Sequence, residues 1–231
     1  CIAYNVKGGL MKLINTLIEE AIANKIMPGA NYCLIEPKQT IMDSLGLKAK
    51  YPKEEPNNLD TLYDLASLTK VVATTTSVLL LMEQGRLRLY DRVKSILPDF
   101  RHPQTTIWDL LTHTSGLPAN VITSLYEGKD NIRQLVLSSE MVYKPHEKIV
   151  YSDLGFITLG FIVEAISNMS LDTFVHKFIL TPLEMNDSGF NPSDAKRCAP
   201  TELRGEHYDR GIVHDEKAKD LNGVAGHAGL F

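Results

Sequence analysis

Ser67 and Lys70 stand three residues apart in Ser67-Leu68-Thr69-Lys70, a spacing that on a helix puts both side chains on one face and lets a hydroxyl meet an amine. The chemistry this permits is acyl transfer through a serine ester. A serine hydroxyl alone is a poor nucleophile, and a lysine accepts its proton only where burial and a helix N-terminus disfavour the charged amine. An SxxK is expected about once by chance in a chain of this composition. A second one, Ser193-Asp194-Ala195-Lys196, follows Asn191-Pro192 with no apolar helix behind it and reads as a surface helix start. Only Ser67 opens an apolar run.

Tyr151-Ser152-Asp153 adds a phenol that can relay a proton and a carboxylate that can orient a substrate amide or the lysine. Taken alone, a tyrosine followed by polar residues is usually a loop tyrosine. His207, Asp209, His214, Asp215 and Glu216 could be taken for metal ligands, but their loop spacing, without an HExxH-like helix, predicts no metal site.

These residues need a frame. In YDLASLTKVVATTTSVLLLMEQGRL, apolar and small residues run too far round for a one-sided surface helix, so a central, buried helix is expected, stopped by Gly85. Upstream, an amphipathic helix near 11–25 leads through Pro28-Gly29 into two apolar runs, ANYCLIE and TIMDSLG, which read as a hairpin. A Pro-, Glu- and Asn-rich loop (51–60) follows. From 86 to 190 the pattern is mainly helical, with stops at Pro98, Pro103, Gly116-Leu117-Pro118, Pro145 and Pro182. Residues 191–229 turn polar and glycine-rich, as a long looping return.

The chain has 231 residues, 44% hydrophobic and 23% charged, enough to bury a full core. Its formal charge of -4 provides no basic block for phosphates, so no nucleic-acid partner is expected. Cys1, Cys33 and Cys198 lack the spacing of a disulfide framework or zinc site and read as free thiols, with Cys1 as a processed lipoprotein terminus the minority alternative. Glu19 and Glu20 interrupt residues 10–27, which therefore cannot be a secretory apolar segment, and no membrane span is expected. Met11 looks like a natural start. Residues 1–10 would then be an appended remnant and the protein cytoplasmic.

The chain resembles the beta-lactamase-related serine hydrolases, among them class C beta-lactamases, D-alanyl-D-alanine carboxypeptidases and related esterases, over most of positions 11–231. The resemblance is carried by LYDLASLTKVVATT, IWDLLTHTSGLP at 107–118, KIVYSDLGFITLGFIVEAIS at 148–167 and PLEMNDSGF at 182–190. LLTHTSGLP is the most specific of these; it reads as a helix end, with His113 a hydrogen-bonded wall residue rather than a catalyst. The resemblance implies Ser67 as the acylated nucleophile, Lys70 as proton acceptor and Tyr151 as proton relay. Asp153 departs from the asparagine of many relatives; as a substrate contact it would favour an amine or an uncharged acyl group over a beta-lactam.

The family's third motif is a Lys or His, a small residue and a Gly on a strand bordering the site. His227-Ala228-Gly229 matches it literally, which makes His227 a substrate-binding candidate. GVAGHAGLF at 223–231 and VHDE at 213–216 more closely resemble a separate family segment upstream of that motif. On that reading residues 11–231 form one hydrolase domain lacking its last strands and C-terminal helix.

The expected fold is α/β (α+β) of the beta-lactamase/transpeptidase type: an antiparallel sheet flanked by helices, joined to a mainly helical subdomain, with the nucleophile at their interface. The expected function is hydrolysis of a small ester, an amide or a peptidoglycan-like substrate by an esterase, D-aminopeptidase or D-Ala-D-Ala carboxypeptidase-like enzyme, with possible penicillin binding and no cofactor. The alternative is a catalytically silent penicillin-binding-like scaffold or sensor, or an inactive fragment.

Overall fold

Alternating apolar and polar residues fold as the expected hairpin, in which β1 (Gly29–Glu36) runs antiparallel to β2 (Gln39–Ala49) from Glu36↔Gln39 to Gly29↔Gly46. Glycine is required at its open end: a Cβ on Gly29 would stand 2.5 Å from the Leu45 carbonyl oxygen, and Gly46 has φ +75°. β3 (Glu55–Pro56) extends the sheet beside β2, its proline on the outer edge where no ladder donor is needed. The computed structural model describes residues 6–121 and 128–231, so Cys1 lies outside the described residues.

This sheet belongs to the first of two units, formed by the chain up to Tyr63 together with Asp194–Arg210. Helix α1 (Val6–Ala23) begins ahead of Met11, earlier than the sequence pattern suggested. Asn15 fastens it to the sheet: its side-chain amide donates to Asp43 at 3.0 Å and accepts from the Tyr32 hydroxyl at 2.8 Å. Within the stretch expected to be irregular, β4 (Leu203–Arg204) and β5 (His207–Tyr208) make a small hairpin around Gly205. Arg210 then grips Glu55 through both terminal guanidinium nitrogens, at 2.8 and 3.0 Å, and this hydrogen-bonded pairing holds the Glu55 carboxyl below the usual carboxylate range. Cys33 is exposed and Cys198 buried, both as free thiols.

The second unit, Asp64–Ser193 with Gly211–Phe231, is mainly helical. The run Lys70–Thr75 is π-helical and continues as α2 (Thr76–Glu83), after which Gly85 turns the chain at φ +69°. The wide register has a local cause: Thr75 and Thr76 donate their hydroxyls to the carbonyls five residues back, Lys70 at 2.8 Å and Val71 at 3.1 Å. This helix is not buried all round, as its composition had suggested. Lys70, Ala73, Thr74, Ser77, Val78 and Leu81 face inward, while Leu68, Val71 and Leu79 are more than half exposed.

Short helices α3 (Val93–Ile96) and α4 (Ile107–Leu111) and the longer α5 (Lys129–Ser138) surround α6 (Asp153–Ser167). α6 is the core helix, with every residue from Leu154 to Val163 buried. Ser152 caps its N-terminus and Asn168, in the left-handed conformation, ends it. α4 starts with a capping box between Thr106 and Asp109. α7 (Leu171–Val175) continues into a π-helical turn (His176–Leu180), and α8 (Glu216–Asp220) precedes the final glycine-rich stretch. Among the described residues no single helix is long and apolar enough to cross a membrane.

Candidate active site

Ser67 stands at the mouth of the π-helical run. Its position is set from both sides. Upstream, Ala66 is held at φ +46°, a left-handed conformation unusual for alanine. Downstream, residues 226–230 lie along the Ser67 segment: Leu65 N–H donates to the Leu230 carbonyl at 2.9 Å, Leu230 N–H to the Thr69 hydroxyl at 3.1 Å, and the Thr74 hydroxyl to the Gly226 carbonyl at 2.6 Å. Ser67 is exposed while Lys70 is 2% exposed. The two nevertheless meet, Lys70 Nζ lying 2.9 Å from Ser67 Oγ. Hydroxyl and amine therefore share one contact, with the hydroxyl on the open side and the amine on the dry side.

The Lys70 ammonium has three protons and three acceptors. Besides Ser67 Oγ it donates to Asp153 Oδ1 at 2.9 Å and to the His227 carbonyl at 3.2 Å. It also sits over the Tyr151 ring, 4.8 Å from the centroid. Tyr151 is half-exposed and forms one wall of the site.

The LTHTSGLP segment positions that wall. The His113 carbonyl accepts from Val150 N–H at 2.9 Å and His113 Nδ1 accepts from Ser152 N–H at 3.0 Å, so one residue clamps the backbone on both sides of Tyr151. Ser152 Oγ donates to the Pro118 carbonyl at 2.6 Å, and Asp153 N–H to the Ala119 carbonyl at 3.0 Å. The His113 ring packs 4.5 Å from Tyr151 and 5.1 Å from Phe156. Because Nδ1 accepts, the ring proton sits on Nε2. Burial, reinforced by the Lys70 charge and only partly opposed by Asp153, holds the imidazole below its usual value and keeps it neutral.

Asp153 does not present a free carboxylate to a substrate. Its Oδ1 is on Lys70, and its Oδ2 lies 3.4 Å from Lys217 Nζ. His227, expected as a substrate contact, lies deeper than that expectation implies. It is 1% exposed, its backbone is bent rather than extended, and its ring faces Asp215, with Nε2 2.7 Å from Oδ1. A ring so enclosed has no face for a substrate; its carbonyl holds Lys70 instead.

Lys217 was not singled out by sequence reasoning, and Asp215 only as a candidate metal ligand; here they complete a ring. Lys217 Nζ is 3.2 Å from Asp215 Oδ2, so contacts pass from Lys70 to Asp153, Lys217, Asp215 and His227, and return to Lys70 through the His227 carbonyl. Asp215 caps α8 through Ala218 N–H at 3.0 Å. Burial opposes its ionisation, but the hydrogen bond from His227, the Ala218 N–H and the Lys217 ammonium outweigh it and hold the carboxyl far below the usual range. For Lys217 the available signal was the dense charge of His214-Asp215-Glu216-Lys217, which spacing alone does not distinguish from a solvated face.

Donor atoms of Asp153, Asp215 and His227 lie within 4.8 Å of one another, close enough to suggest a cation. Two ammonium groups already occupy those carboxylates, so the cluster is balanced from within by lysine. Of the five residues first weighed as metal ligands, only Asp215 reaches it. All of these site residues belong to the second unit. The cavity of about 410 Å³ lined by Asp99, Asp130, Arg133 and Gln134 shares no residue with this cluster.

Comparison with known proteins gives a consistent picture. The family model described as Beta-lactamase matches residues 14–231. A protein of Escherichia coli (strain K12) named "Putative D-alanyl-D-alanine carboxypeptidase" is 34% identical over 246 residues, covering 88% of this chain and 57% of its own. A protein of the same name from Salmonella agona (strain SL483) is 34% identical over 207 residues, covering 74% and 48%. The chain thus spans about half the length of these relatives. Among solved structures, a class C beta-lactamase superposes with a TM-score of 0.81 at 21% identity, covering 99% of this chain and 63% of its own. EstCE1, described as a hydrolase with promiscuous acyltransferase activity, gives 0.79 at 20% identity, covering 97% and 69%. At these identities the structures speak for the fold alone.

Proposed function

Because the chain belongs to the beta-lactamase-related serine hydrolases, we propose that it cleaves a small ester or amide through an acyl-enzyme on Ser67, with Lys70 as the base. The observation that carries this reading is the 2.9 Å contact between an exposed Ser67 hydroxyl and a buried Lys70 amine. The neutral amine takes the hydroxyl proton as Oγ bonds the substrate carbonyl carbon, and the carbonyl electron pair moves onto oxygen. The Ser67 N–H, which makes no hydrogen bond among the described residues, is the donor available to that oxyanion.

Collapse restores the carbonyl and expels the leaving group, which takes a proton from the Tyr151 hydroxyl. Tyr151 regains its proton from the Lys70 ammonium, so the proton lost by Ser67 leaves with the alcohol or amine. Water then attacks the ester by the reverse traffic and frees Ser67. The names of the relatives favour a D-alanyl-D-alanine peptide among possible substrates, and the internal pairing of Asp153 removes the carboxylate that would have selected an amine.

The test is intact-mass detection of a covalent adduct after treatment with a fluorophosphonate and, separately, a penicillin, with turnover of p-nitrophenyl acetate measured alongside. One adduct per chain, abolished by Ser67→Ala, is expected. Absence of any adduct at Ser67 would favour a silent scaffold.

A further inference from the structure

We propose that Lys217 is a positioning residue that sets the protonation of Lys70 through the carboxylate they share, Asp153. This rests on the reading of Ser67 as nucleophile and Lys70 as its base. Lys217 is 5% exposed, yet it contacts no reacting atom. A buried ammonium is costly unless paired, and this one is paired on both sides: Asp153 Oδ2 at 3.4 Å and Asp215 Oδ2 at 3.2 Å.

The electrostatic problem is local. Lys70 must be neutral to accept a proton, and a carboxylate lies 2.9 Å from it. Facing Lys70 are Ser67 from the same turn, Asp153, the Tyr151 and Phe156 rings, the neutral His113, and the His227 carbonyl. Among the described residues, Asp153 is the one anion in direct contact with it. Facing Lys217 are Asp153 and Asp215.

His227 Nε2 is on Asp215, while its buried Nδ1 has no hydrogen-bond partner among the described residues. Two lysines thus face two carboxylates in this ring of contacts. Lys217 draws on the Asp153 charge from the side away from Lys70, so Asp153 remains a paired carboxylate when Lys70 gives up its proton. Asp215 moderates this by taking part of the Lys217 charge and, through His227 Nε2–H, is tied to the segment whose carbonyl steadies Lys70.

Two substitutions should move the acid limb of the reaction in opposite directions. Lys217→Met leaves Asp153 to Lys70 alone, so Lys70 holds its proton more tightly and the limb moves to higher pH by about one unit. Asp215→Asn keeps Lys217 charged and gives it wholly to Asp153, so the limb moves to lower pH. Lys217→Arg retains the charge and should stay near the wild-type midpoint.

The experiment is the pH dependence of the rate at which a fluorophosphonate labels Ser67 in the intact protein, read by mass, with a thermal melt of each variant. Below the midpoint, the expected one-unit shift makes Lys217→Met about tenfold slower than wild type. A lower plateau with an unmoved midpoint in both variants, or midpoints moving in the same direction, overturns the proposal. Should Lys217→Met fail to fold, Asp215→Asn decides, and an unmoved or raised midpoint overturns it. Should both fail, a midpoint displaced by more than half a unit in Lys217→Arg overturns it, and an unmoved one supports charge as the operative property. Wild-type protein unlabelled at every pH would instead remove the nucleophile assignment, a failure distinct from any variant result.

Discussion

The Asp64 carboxylate accepts the Ala66 N–H at 2.8 Å, directly before Ser67, where Ala66 is at φ +46°. Its second oxygen accepts the His214 N–H at 2.7 Å. One side chain thus ties the strained turn to the segment that carries Asp215 and Lys217. Asp64→Ala should lower the free energy of unfolding by about 1–2 kcal/mol, measured by urea titration. Labelling of Ser67 should slow by about tenfold or more, because a displaced hydroxyl no longer meets the amine. An unchanged labelling rate would show that the turn holds without Asp64.

Gly226 is a close-approach position, not a flexible one. A Cβ there would stand 2.1 Å from the Phe156 carbonyl oxygen and 3.0 Å from Gly160 N, both backbone atoms of α6. Gly226→Ala must push the final stretch off α6, and a loss of about 2 kcal/mol or more is expected in denaturant unfolding. A variant as stable as wild type would mean that the stretch can shift without cost.

Tyr151 carries two separable properties, a ring under the Lys70 ammonium and a hydroxyl with no hydrogen-bond partner among the described residues. Tyr151→Phe keeps the ring and should leave the thermal midpoint nearly unchanged while slowing acylation by about 10²–10⁴. Equal rates for the two proteins would remove the hydroxyl from the proton relay.

His113 couples stability to pH. Its folded-state proton affinity lies below that of a free imidazole, chiefly through burial, so protonation favours the unfolded chain. The associated stability is present in full above about pH 6.5 and is lost as pH falls through the lowered folded-state value. His113→Asn preserves a side-chain acceptor and tolerates the φ of +58°. Stability measured against pH should therefore fall less steeply on acidification in the variant. A slope identical to wild type would mean that His113 titrates alike in both states.

Ser67 and Lys70 were legible in the sequence because a separation of three residues is converted to contact by helix geometry alone, whichever way the rest of the chain folds. The β1–β2 hairpin was legible for the same reason, since alternation and a short turn fix its register locally. The expectation that Tyr151 belongs with them rested on resemblance, for nothing local in Tyr151-Ser152-Asp153 reveals that His113 will clamp it. Sequence reasoning left Asp153 between a substrate amide and the lysine and took His227 as a substrate contact; in the folded chain Asp153 lies on Lys70 and Lys217, and the His227 ring faces Asp215. That outcome depends on residues 211–231 returning to lie against α6, where Gly160 and Gly226 let two backbones approach. The approach carries Asp215, Lys217 and His227 to a lysine far away in sequence. Charge type is written residue by residue, but its effect depends on which opposite charge lies within a few ångströms in a dry environment, and that distance exists only once the core has closed.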